Sequence, residues 1–182
     1  MSANLESARD LLAHMQWADA EIWRAIHATP NATEDERLMK LVMHLHAVQR
    51  AFLNMWTNVA TEPEKLYAKR DAATLLEWAR TYYAEAEVFV TGGESRLGET
   101  VHMPWLAGYE KQLGRSLQSP TLAETLLQVP MHSAYHRGQI NTRIRELGGE
   151  PPLVDFIAWI WYGRAAPQWS DGVSAASPRE QG

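Results

Sequence analysis

The chain has 182 residues, with 22 Asp and Glu against 17 Lys and Arg, a mildly acidic balance with no basic run to attract nucleic acid. It has no cysteine, which excludes disulfides, thiolate-ligated zinc and thiol catalysis by the protein itself, so a metal site must use His, carboxylates and water. The first residues show no charged region followed by an apolar run, and no apolar stretch approaches the roughly 20 residues of a membrane span. A soluble cytoplasmic protein is expected, with neither nucleic acid nor membrane among its partners.

In chain order, the first predicted helix spans residues 3–28, with Leu5, Leu11, Leu12, Met15, Ile22 and Ile26 forming its apolar stripe. Thr29-Pro30-Asn31 ends it. Thr33 or Asp35 caps the second helix, with Glu36 completing a capping box from Thr33. That helix reaches about residue 59 on the stripe Leu38, Leu41, Val42, Leu45, Val48, Phe52 and Met55. Pro63 lies in a charged linker. A third helix spans about 72–90 and is stopped by Gly92-Gly93. Residues 94–118 read as an irregular excursion with a weak hairpin signal at residues 100–103 and around Tyr109.

Ser119-Pro120 is a good helix start, and the fourth helix runs from there to about Leu147, where Gly148-Gly149 ends it. Pro130 lies inside this helix and predicts a kink one turn before His132. A short fifth helix, about 153–162, is apolar nearly all round and is expected to be buried. The fold class is therefore all-α: a four-helix bundle plus a short C-terminal fifth helix, as one domain over residues 1–165 with a loose tail over 166–182. The eight tryptophans mostly suit core and helix seams, while Trp159, Trp161 and Trp169 suit a pocket or partner surface.

The chemistry concentrates in the fourth helix. His132 and His136 are four residues apart, so both imidazoles leave one side of the helix and can bind one divalent ion. On the helical wheel they lie at the edge of the arc formed by Leu122, Leu126, Val129, Ile140, Ile144 and Leu147, where a bundle places its metal ligands. Gln139 and Arg143 continue the stripe. A third ligand must come from elsewhere. His44 and His46 of the second helix point about 200° apart, so only one of them can face the fourth helix, and the wheel does not choose between them. His14, His27, His102, Asp19 and Glu21 remain open. Tyr135, Gln139 and Arg143 are the nearest partners for the second ring nitrogens of the ligands.

Two segments carry a family resemblance: His-Ser-Ala-Tyr-His-Arg-Gly-Gln-Ile at 132–140 and Leu-Gly-Gly-Glu-Pro-Pro-Leu-Val-Asp-Phe at 147–156. Together they resemble the signature of the DinB family, damage-inducible proteins of bacteria. The resemblance extends to Gln16-Trp17-Ala18-Asp19, where the family usually has Trp-Ala-Asn, and to residues 44–50. It implies a bundle of crossover topology and a divalent metal, usually zinc or nickel, on three histidines: His44, His132 and His136. It also implies thiol-dependent transferase or isomerase chemistry with a low-molecular-weight thiol such as bacillithiol or mycothiol. Asp155 matches a family position and is expected to hold the fifth helix by a cap or an ion pair. Two classes of function follow. One is a metal-dependent enzyme acting on a small-molecule substrate, a hydrolase or a thiol transferase. The other is a non-catalytic metal-binding protein, stress-linked, whose Trp-rich surface forms a homodimer.

Overall fold

The computed structural model describes residues 3–92 and 94–170. Among the described residues all named elements are helical, in accord with the all-α expectation. Four helices are long: α1 (Ala3–Ala28), α2 (Glu36–Trp56), α4 (Ala72–Gly92) and α6 (Leu122–Glu146). Three are short: α3 (Pro63–Leu66), α5 (Leu106–Leu113) and α7 (Phe156–Trp161). α1 and α2 each pack against both α4 and α6. No described helix is long and apolar enough to cross a membrane.

The helix boundaries differ from the expected ones in ways the backbone explains. Asn31 takes a left-handed φ of 57° and starts a 3-10 turn, Ala32–Glu34, which absorbs Thr33. The capping box from Thr33 therefore does not form. Asp35 is the N-cap instead, its Oδ1 accepting from the Leu38 amide at 2.7 Å. α2 ends at Trp56, earlier than expected. α6 starts later than Ser119-Pro120, because residues 99–101 run alongside this segment. The Val101 amide donates to Pro120 O, the Leu122 amide donates to Glu99 O, and Thr100 bridges Thr121. The cap falls to Thr121, with Glu124 closing a reciprocal capping box. The excursion at 94–118 holds a helix, α5, where a hairpin was the weak expectation, and Gly114 ends it at a φ of 66°.

α7 is shorter than expected and is not buried all round. It lies against α1 and sinks Ala158 and Trp159 beside Trp17 and Ala18. Its other face leaves Ile157 and Trp161 exposed, the latter at 72%. Trp169 packs on Tyr83 with ring centroids 5.7 Å apart, and Ser170 Oγ lies 2.7 Å from His27 Nδ1. Gly93 and residues 171–182, which include most of the expected tail, lie outside the described residues.

The two larger apolar clusters among the described residues fill most of the interior. One contains Met15, Phe52, Trp56 and Val129, and the other contains Ile22, Val42, Ile140 and Ile144. Along each of α1, α2 and α6, a layer of buried polar groups separates them. Asp19 is its hub: Oδ1 accepts from Arg137 at 2.8 Å, and Oδ2 accepts from Gln49 Nε2 at 2.7 Å and from the Tyr83 hydroxyl. Gln49 Nε2 also donates to Ser133 Oγ at 3.1 Å. Trp23 Nε1 donates to His46 Nε2 at 3.0 Å, so His46 carries its proton on Nδ1 and gives it to Gln49 Oε1 at 2.9 Å. Burial penalises the charged form of His46 and holds it neutral. These groups come from α1, α2, α4 and α6, so a single hydrogen-bonded system ties all four long helices together.

Candidate metal centre

α6 continues through Pro130 without interruption. His132 and His136 therefore stay on one side, with their Nε2 atoms 3.1 Å apart. α2 packs alongside and presents His44, whose ring centroid is 4.5 Å from that of His136 and 5.5 Å from that of His132. One nitrogen from each of the three residues lies within 4.8 Å of the others. The structure thus resolves the choice between His44 and His46. The 200° between them sends His46 into the buried polar layer and leaves His44 facing α6.

The donor set suits a divalent ion. Two imidazole nitrogens on a tetrahedral zinc, each at about 2.05 Å, are separated by about 3.3 Å, close to the spacing of the α6 pair. The orientation of His136 is fixed, with its Nδ1 at 2.8 Å from Gln139 Oε1, so Nδ1 is the donor and Nε2 keeps its lone pair. His44 Nδ1 sits 3.3 Å from the Tyr67 hydroxyl. His132 Nδ1 is buried with no partner. Burial first, then the neighbouring His136 and His44, push the His132 imidazole down to about 4. Burial and His136 lower His44 as well. Both shifts favour the neutral imidazole, which has one lone-pair nitrogen and one N–H.

A cavity of about 710 Å³ opens onto this cluster, with His44 and His132 in its wall. It is bounded by α2, α3, α5 and the first turns of α6. Its tryptophan is Trp105, whereas Trp159 is buried and Trp161 stands on the surface.

The other sequence candidates lie elsewhere. His14 Nε2 donates to Val154 O at 2.9 Å and holds the segment leading into α7. His27 meets Ser170, and His102 is exposed. Asp19 belongs to the buried layer, and Glu21 pairs with Arg24 at 2.9 Å. Of the expected second-nitrogen partners, Gln139 takes that place. Tyr135 is exposed and rests its ring edge against His136, and Arg143 pairs with Asp35 at 2.6 Å. Asp155 occupies the N-cap position of α7, but its side chain makes no capping bond. Tyr67 and the Asp19–Arg137 pair were not anticipated. The latter had a legible signal: Asp19 falls in the stripe Met15, Ile22, Ile26, and Arg137 falls with Ser133, Ile140 and Ile144, so each places a charge on a buried face.

No curated protein and no solved structure matches the chain. The model of the DinB family matches residues 1–169. With that match over nearly the whole length, and the histidine cluster formed by the motif residues themselves, the chain belongs to the DinB family.

Proposed function

We propose that this protein is a metal-dependent enzyme acting on a small molecule, with a zinc or nickel ion held by His44, His132 and His136. The observation that carries this reading is that the three imidazoles converge beside an open cavity, with His44 and His132 in its wall. A divalent ion there supplies Lewis acidity, bringing the pKa of water or of a thiol towards neutrality. The chain's own groups prepare the site. Gln139 selects the tautomer of His136, Tyr67 sits against the outer nitrogen of His44, and burial keeps His132 unprotonated. The attacking group is water in a hydrolysis, or a low-molecular-weight thiol in a transfer, since the chain has no cysteine of its own. The reading includes a cytoplasmic homodimer, which the exposed Met131, Tyr135, Ile157 and Trp161 support as surface awaiting cover.

Elemental analysis tests the assignment. Purified protein should hold about one equivalent of divalent metal per chain, as one site of this kind implies. His136→Ala should lose it with the helical circular dichroism intact. Full occupancy in that variant would overturn the site. Light scattering tests the dimer, and turnover of ester or amide panels with and without added thiols separates the two reactions.

A further inference from the structure

We propose that the protein wall of the cavity beside the three histidines, apart from any metal there, favours an uncharged, aromatic-sized body over an anion, which narrows the substrate class of the site proposed above and rests on that reading. Its volume of about 710 Å³ is in the range of small-molecule sites and exceeds what a water or a small acid would fill. Phe52, Leu66, Met103 and Trp105 form an apolar wall, with Phe52 and Trp105 edge to face at 5.9 Å between centroids. None of the described residues in the lining is Lys or Arg. The polar residues in the lining include the uncharged amides Gln118 and Gln128 and the hydroxyls of Thr61 and Tyr109.

Glu124 brings a negative charge to the lining. Its Oε2 accepts from the Thr121 amide at 2.7 Å and from Thr121 Oγ1 at 2.9 Å, which holds the carboxyl below its usual range and keeps it ionised. A carboxylate or phosphate entering this space leaves water, finds no cation and meets a fixed anion. A neutral aromatic group has no charge to desolvate on entry and gains contact with Trp105 and Phe52. Discrimination therefore belongs to the cavity wall itself, apart from any attraction of an anionic head to a metal at the histidine end.

Metal-free protein, stripped with a chelator, isolates this wall. Calorimetric titration with 2-naphthalenemethanol should show saturable binding, and 2-naphthoate should bind on the order of tenfold more weakly or not at all, as expected for an unpaired anion near a like charge. Trp105→Ala should weaken the alcohol by about tenfold through lost aromatic contact. Glu124→Gln, which preserves the cap acceptor, should narrow the gap between the two probes. No binding of the alcohol, equal binding of the carboxylate, or an unchanged affinity in Trp105→Ala would each overturn the proposal. Because no metal takes part, failure here leaves the metal assignment standing, and absence of metal from the purified protein leaves this result standing.

Discussion

Asp19→Asn is the sharpest perturbation of the buried layer. In the native protein both carboxylate oxygens accept: Oδ1 from Arg137 at 2.8 Å, Oδ2 from Gln49 at 2.7 Å and from Tyr83. The amide keeps one acceptor for Arg137 and turns the other into a donor that faces the Gln49 NH2. Tyr83 can adapt, since its hydroxyl can rotate and accept. Gln49 can flip its amide, but its NH2 then faces His46 Nδ1, which must give up its proton to Nε2. That proton would point at Trp23 Nε1, 3.0 Å away, and an indole N–H only donates. The mismatch cannot be passed out of the network. Removing one partner of a buried pair costs about 3 kcal/mol at the low end, and the retained acceptor places this substitution there. Urea unfolding followed by circular dichroism, at unchanged m-value, reads this directly. Trp23→Phe removes the donor that blocks the relay. The cost of Asp19→Asn should therefore fall by on the order of 1 kcal/mol in that background. A loss below about 1 kcal/mol in the single variant, the size of an exposed ion pair, would refute the argument, as would strict additivity with Trp23→Phe.

Three other outcomes are expected. Gln139→Ala should weaken metal binding by about 10–100-fold in competition with a chelator while unfolding stability holds, because it frees the His136 ring without touching the core; an unchanged affinity would remove Gln139 from the site. Asp35 is held down to about 2, from an ordinary 3.8, chiefly by its hydrogen bonds from Arg143. Its folded-state pKa is depressed, so its contribution is present above 3.8 and is lost as pH falls towards 2. Asp35→Asn, which keeps the cap acceptor, should cost under about 1 kcal/mol at neutral pH in this partly exposed pair, and the difference from the native protein should vanish by the acid end of that window. A gap that persists there would assign the effect to packing. Gly149→Ala should destabilise by about 1–3 kcal/mol, because its Cβ would lie 2.0 Å from Thr29 Oγ1 and 2.9 Å from Ile144 Cγ2. Thr29→Ala, by removing the nearest of these atoms, should recover part of that loss in thermal melts.

The long helices and the α6 histidine pair were readable because each depends on a local period. Apolar stripes at 3.6-residue spacing mark α1, α2 and α6, and a four-residue step puts His132 and His136 together whatever surrounds them. What depended on contacts distant in sequence was not readable. The wheel left His44 and His46 nearly equivalent, and the decision came from Trp23 and Gln49, which give His46 a buried partner on each nitrogen. The N-cap of α6 moved from Ser119 to Thr121 because residues 99–101 run alongside it, and no local propensity encodes that pairing. The burial of α7 was overestimated because composition says how apolar a helix is and not how many neighbours it has. Pro130 does not part the histidine pair, since the helix continues through it and the two Nε2 atoms stay 3.1 Å apart.

The buried layer and the histidine cluster are consequences of the same helix rotations. On α6, His136 faces His44 of α2 and Arg137, the next residue, faces Asp19. On α2, His44 faces α6, and His46 and Gln49 face the layer. A helix that turned by one residue, about 100°, would take the imidazole out of the cluster and draw Arg137 or His46 away from its partners at once. Losing a partner in that layer leaves an unpaired buried polar group or charge, whereas an apolar seam accepts small rotations with little penalty. The polar layer thus fixes the azimuth of the two histidine-bearing helices more tightly than the Leu and Ile contacts above and below it. This gives a physical reason for a charged pair in the core of a bundle that Leu and Ile alone would hold together. Asp19 and Arg137 set the angle at which His44 meets His132 and His136, and a change at Asp19 is expected to loosen the histidine cluster although no atom of Asp19 belongs to it.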